Sequence, residues 1–200
     1  DRCAERREVE AHLKKQEGIA MRKILVVIDM QNDFIDGALG TSEAVAIVPK
    51  VAARMRAFSG RVLCTRDTHE TAYLETLEGQ KLLVEHCIRG TAGGQLAPDI
   101  EAARKELPID KPTFGSTALG ALLKAQDEDL RNRGERIEKI TLVGVCTDIC
   151  VISNALLLKA FLPETEIVVD AACCAGVTPE RHRTALEAMK ACQITVENEE

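Results

Sequence analysis

KILVVIDMQNDF, residues 23–34, opens with a run of aliphatic, largely β-branched side chains that ends abruptly on an aspartate. A strand with one wet face alternates apolar and polar residues. This run is apolar at consecutive positions, so it suits burial on both faces, as in a parallel sheet. Related runs recur at residues 61–65, 107–110, 139–145, 166–169 and 193–196. Helical patterns fall between them, at residues 49–58, 98–106, 117–133, 148–161 and 179–192. The first is expected to begin at Pro49, because proline is favoured in a first turn. Strands alternating with helices predict βαβ units and one α/β domain. Its expected form is a three-layer α/β/α, doubly wound, Rossmann-like fold on a six-stranded, mainly parallel sheet.

Size and charge agree with that reading. A length of 200 residues suits a single domain, and 46% hydrophobic residues support a packed core and exclude general disorder. The net charge of -6 argues against nucleic acid as the main partner. No apolar run approaches the roughly 20 residues that span a bilayer, so no membrane partner is expected. Residues 1–20 are charged and hold no apolar stretch of export-signal type. Met21 directly precedes the first strand, so residues 1–20 are read as an N-terminal extension or remnant and 21–200 as the domain. Eight cysteines would permit a disulfide framework in a secreted protein. Most lie inside strand-like or helix-like apolar runs, so reduced thiols in a cytoplasmic protein are expected instead. Cys146 and Cys150 do not form a CxxC pair, which gives a cysteine zinc site little support.

Ligand sites of open α/β sheets lie outside the carboxyl ends of the strands. Asp29 follows the first strand, Lys111 the third, and Cys150 opens the helix after the fourth. Each has an ordinary alternative: a turn former, a solvated lysine, a core cysteine. Brought together they make a site. Thr147 or Asp148 is expected to cap the helix, leaving Cys150 in a first turn whose free N–H groups and dipole favour a thiolate and can hold an oxyanion. Asp29 would serve as general base and Lys111 would keep the site electropositive. The connection over residues 66–96 is longer than usual, and such loops tend to be functional. In it Asp67 and His69 stand two apart in an extended stretch and can face the same way, with His86 within reach of a folded-back loop. Asp, His and His suit a divalent transition metal; the ordinary alternative is a solvated acidic loop with two surface histidines.

Four segments carry a family resemblance: IDMQNDF (28–34), DKPTFGST (110–117), GVCTDICV (144–151) and DAACCAGVTPERH (170–182). In this order they resemble the signatures of the isochorismatase-like cysteine hydrolases, closest in motif to nicotinamidases and pyrazinamidases, over about residues 21–196. The resemblance implies a catalytic triad of Asp29, Lys111 and Cys150. It implies a non-proline cis peptide at Val145-Cys146 and an oxyanion hole from the backbone N–H groups of Cys146 and Cys150. The loop resembles the nicotinamidase metal loop, with Asp67, His69 and His86 as ligands and Glu78 as an additional one. Zinc is the implied metal, iron or manganese the alternatives, and no organic cofactor is expected. Phe34 and Phe114 match positions that sandwich a flat ring, unless both are ordinary core. The implied activity is hydrolysis of a small carboxamide, foremost nicotinamide to nicotinate and ammonia, through a thioester. The alternatives are a metal-free ureido or carbamoyl hydrolase, a non-catalytic binding protein, and a thiol-redox protein using Cys146 and Cys150. One departure stands out: Leu82 and Leu83 occupy the place where nicotinamidase loops usually supply an aromatic, and the chain has no tryptophan. Enzymes of this family are often oligomers, so a homo-oligomer is left open.

Overall fold

In the computed structural model, which describes residues 21–199, the run 24–28 is buried throughout as strand β1 (Lys23–Ile28). Ile24, Val26 and Ile28 enter one core, while Leu25 and Val27 enter another. The run therefore alternates in destination but not in polarity, as a strand covered on both faces must. The remaining strands are β2 (Arg61–Asp67), β3 (Ile109–Lys111), β4 (Lys139–Val145), β5 (Glu166–Ala175) and β6 (Thr195–Glu197). They form one sheet in the order β3-β2-β1-β4-β5-β6, and every pairing is parallel.

The helices are α1 (Asn32–Ile35), α2 (Ser42–Ala57), α3 (Leu77–Lys81), α4 (Pro98–Ala103), α5 (Thr117–Arg131), α6 (Ile152–Phe161) and α7 (Pro179–Ala191). One core joins the sheet to α5, α6 and α7 through Leu119, Leu123, Leu158 and Leu186. The other joins it to α2 and α4 through Ile47, Val51, Met55 and Ile100. Three layers result, α/β/α. The chain winds outward from β1 to β3, crosses back, and winds the other way from β4 to β6. The reversal between β1 and β4 opens a crevice at the carboxyl ends of these strands. Gly144 keeps β1 and β4 close. Its φ is +118°, and a Cβ there would stand 2.1 Å from the Ile28 carbonyl oxygen.

Several boundaries differ from expectation. The helix expected from Pro49 begins seven residues earlier, at Ser42, with the Thr41 hydroxyl accepting from the Ala44 N–H at 3.0 Å. Pro49 lies inside it. Ala44, Ile47, Val51, Ala52 and Met55 bury one continuous face across the proline, which outweighs its missing N–H. Strand β5 runs on to Ala175 because Ala171 and Cys174 continue into one core and Cys173 and Ala175 into the other, despite small side chains of little strand preference. The strand expected at 107–110 starts at Ile109 and includes Lys111, and β2 extends to Asp67, so these two residues pair in register. The helix expected at 148–161 divides into a π turn (Thr147–Val151) and α6.

The long connection is tied down by isolated bridges from His69 to Ile88 and from Gln31 to Leu96. The cysteines among the described residues are all free thiols. Residues 1–20, with Cys3, lie outside the described residues. Among the described residues no helix is long and apolar enough to cross a membrane.

Candidate active site

The backbone turns sharply where β1 ends, and Asp29 adopts a left-handed φ of +48°. Such a conformation is unfavourable for most side chains, and asparagine or aspartate tolerates it best. Thr65, on neighbouring β2, holds the residue twice. Its hydroxyl accepts from the Asp29 N–H at 3.3 Å and donates to Oδ1 at 2.7 Å. Oδ2 lies 2.6 Å from the Lys111 ammonium but receives no well-directed hydrogen bond. The Lys111 Nζ also lies 3.5 Å from Cys150 Sγ and 3.5 Å from Asp67 Oδ1, and it donates to the Thr113 carbonyl at 3.1 Å. One buried ammonium thus touches both buried carboxylates and the thiol.

Burial and charge oppose one another here. Burial raises the Asp29 pKa, and Lys111 only partly offsets this. Burial works against the Lys111 ammonium, but Asp29, Cys150 and Asp67 together raise its pKa. For Cys150, burial and then the Asp29 charge push the thiol well above its ordinary range, with Lys111 pulling weakly the other way. Burial and the Asp29 charge thus work against the thiolate that the helix position alone favours. Forming it needs a base.

The expected cap is also absent. The Thr147 hydroxyl pairs with His182 Nδ1 at 2.7 Å, and Asp148 Oδ1 accepts from the Val177 N–H at 3.0 Å. Both side chains anchor the turn to the start of α7 instead. The Cys146 carbonyl accepts from the N–H groups of Ile149 and Val151, and the Val145–Cys146 peptide is cis. Asn154 fixes the turn from below: its Nδ2 donates to the Cys150 and Phe114 carbonyls, and its Oδ1 accepts from the Ser116 N–H.

Asp67, His69, Glu78 and His86 converge beside this cluster, with one ligand atom from each lying within 4.8 Å of the others. Asp67 Oδ2 is 3.0 Å from His69 Nε2 and 3.4 Å from His86 Nε2; Glu78 Oε1 is 3.6 Å and 4.0 Å from the same nitrogens. The His86 Nδ1 lies 2.9 Å from the Val84 carbonyl, which can only accept, so Nδ1 carries the hydrogen and Nε2 turns to the group. Two carboxylates and two imidazoles face one another here in a largely buried place, with the Lys111 ammonium reaching only Asp67, at 3.5 Å from its Oδ1. Burial lowers the His86 pKa, yet Asp67, the Val84 carbonyl and Glu78 overcome it and raise it. This donor set, with the Val84 carbonyl orienting the His86 ring, fits a divalent cation. The ordinary alternative, a solvated loop with surface histidines, does not describe it: His69 and His86 are buried.

A cavity of about 750 Å³ joins the two clusters, lined by Cys150, Cys146 and all four convergent residues. Phe34 and Phe114 both line it as well. Phe34 is buried, with its ring centroid 5.4 Å from that of His86, whereas Phe114 is half exposed and is not core.

Sequence reasoning assigned no role to Thr65, Gln31, Asn154 or Tyr73. Gln31 is fully buried. Its side chain donates to the carbonyls of Asp67 and Gly94 and accepts from the Asp67 N–H at 2.7 Å, clamping the end of β2. Tyr73 is buried against both histidines, with centroid distances of 4.6 Å to His69 and 5.0 Å to His86. For Thr65 and Asn154 the sequence carries a usable signal: each is an uncharged polar residue directly beside an apolar run, Val62–Cys64 or Ala155–Leu158. Such a residue must find partners once buried.

The family model described as Isochorismatase domain matches residues 23–200. A nicotinamidase/pyrazinamidase of Mycobacterium tuberculosis (strain ATCC 25618 / H37Rv) is 25% identical over 185 residues, covering 86% of this chain and 96% of that protein. A pyrazinamidase of Pyrococcus horikoshii, solved in complex with zinc, is 27% identical with a TM-score of 0.69, covering 89% of this chain and 99% of that one. PnC1 from L. infantum, solved in complex with nicotinate, shares the fold with a TM-score of 0.75 at 21% identity, over 88% of this chain and 92% of that one. The chain belongs to the isochorismatase family of hydrolases.

Proposed function

We propose that this protein is a cysteine-dependent amidohydrolase that cleaves a small carboxamide, foremost nicotinamide to nicotinate and ammonia. The family match and the nicotinamidase and pyrazinamidase relatives support amide hydrolysis. The observation that carries the thiol route is the buried Lys111 ammonium, 2.6 Å from Asp29 and 3.5 Å from Cys150, which lines the cavity that also holds the metal-type cluster.

Asp29 takes the proton of Cys150, and the sulfur attacks the amide carbonyl to form a carbon–sulfur bond. The resulting oxyanion is held by the backbone N–H groups of Cys146 and Cys150. Asp29 then returns the proton to the departing nitrogen; the carbon–nitrogen bond breaks, ammonia leaves, and a thioester remains. A water deprotonated by Asp29 attacks the thioester, the carbon–sulfur bond breaks, and the acid and the thiol are released. Lys111 keeps Asp29 ionised enough to act and tempers the charge that develops beside it.

Asp67, His69, Glu78 and His86 would hold a divalent ion, zinc by the donor set and by the zinc in the P. horikoshii relative. When bound, such an ion supplies a coordination position for a ring nitrogen, which is positioning rather than water activation. Phe34 and Phe114 then flank the ring.

An ammonia-release screen over nicotinamide, pyrazinamide and several ureido acids, with and without chelator, tests the proposal. Release from nicotinamide that chelator removes and zinc restores is expected. Chelator-insensitive release from ureido acids alone would transfer the assignment to the metal-free branch, and no release from any carboxamide would end it.

A further inference from the structure

The cavity above Cys150 encloses about 750 Å³. Sites for drug-sized ligands run from about 300 to about 1,000 Å³, so this one exceeds the needs of a single-ring amide. Its inner end is polar and holds the thiol and the four convergent ligands. Toward solvent the lining includes exposed apolar side chains. Leu77 on α3, Leu82 just beyond it, Phe114 after β3 and Val177 between β5 and α7 all line the cavity. They leave 71%, 38%, 45% and 37% of their surfaces exposed. None of them belongs to either core. Large apolar side chains that line a cavity yet stay outside the cores contribute little to the fold and gain most when something apolar covers them.

We propose that these apolar side chains bind an extension of the substrate, so that the site takes ring carboxamides bearing an alkyl or aryl substituent as well as nicotinamide itself. The inference rests on the amidohydrolase reading above and names its substrate class. Lys81 and Arg181 also line the cavity and are positive, so a substituent ending in a cation is disfavoured.

The test measures kcat/KM for ammonia release by the zinc-loaded enzyme. The substrates are pyridine-3-carboxamides carrying methyl to butyl chains at each open ring position. In at least one positional series kcat/KM should rise about fourfold per methylene, the equivalent of ~0.8 kcal/mol per buried CH₂. A terminal ammonium on the same chain should cancel the gain. The double variant Leu77→Gln, Leu82→Gln alters exposed side chains that the fold tolerates, and it should flatten the rising series. Series that are flat or falling at every position, while the unsubstituted amide is hydrolysed, overturn this inference and leave the amidohydrolase reading standing. A slope unchanged in the double variant also overturns it. No ammonia from any member, substituted or not, overturns both.

Discussion

Asp29 and Cys150 are each pushed toward the neutral form by burial, and Lys111 is the charge that resists both. A base with a raised pKa loses its function as pH falls through that raised value. The acid limb of kcat/KM should therefore lie above the ordinary 3.8 of an aspartate. Lys111→Met removes the contribution that lowers the Asp29 pKa, so the limb should move to higher pH. A limb unmoved, or moved toward acid, in a pH profile of this variant would contradict the arrangement. The same substitution leaves Asp29 buried without its cation and should cost about 3–5 kcal/mol in urea unfolding. Cys150→Ala should abolish turnover while preserving the fold by circular dichroism; substantial residual activity would refute the nucleophile assignment. These residues were legible one at a time, because an aspartate, a lysine and a cysteine at strand ends follow from local patterning. Their protonation was not, because a pKa depends on what lies around the group in space.

At the level of elements, α2 shows where local rules mislead. Proline at a first turn is a sound rule, yet Thr41 caps a helix that begins seven residues before Pro49, and the buried face continues through it. Thr41→Ala should lower stability by about 1 kcal/mol, read as a shift in the urea midpoint at constant slope. Gly144→Ala should do more damage. Its Cβ would meet the Ile28 carbonyl oxygen at 2.1 Å in a left-handed conformation, which forces β1 and β4 apart just beneath Asp29. Both melting temperature and kcat should fall in this variant; wild-type values would show that the sheet yields freely there. The π turn at Thr147–Val151 escaped sequence reading for a similar reason. Its side chains found partners on α7 and on the segment just before it, rather than on their own backbone.

Over the whole molecule, the strand order β3-β2-β1-β4 brings Lys111, Asp67, Asp29 and the Cys150 turn to one edge of the sheet. The connection between β2 and α4 folds back to add Glu78 and His86. A cation that binds only the native state stabilises it by mass action, about 2.7 kcal/mol at a hundredfold excess over Kd. Chelator treatment should lower the thermal midpoint, and zinc should restore it. Tyr73→Leu, which removes the ring packed on both histidines, should weaken zinc binding by calorimetry without abolishing it. Chelation that leaves the midpoint unchanged would count against the cluster as a metal centre.

The amino-acid order by itself determined the layer architecture, the strand-end locations of Asp29 and Cys150, and the candidate ligands Asp67, His69 and His86. All of these follow from periodicity and spacing, which are properties of neighbours along the chain. Only the tertiary structure decided that Lys111 is a buried strand residue in register with Asp67, that burial raises the Cys150 thiol pKa, and that Gln31, Thr65, Tyr73 and Asn154 hold the site in place. Those outcomes depend on which strands adjoin and what covers them. Sheet order and burial arise from contacts between residues far apart in sequence, to which local patterning is blind.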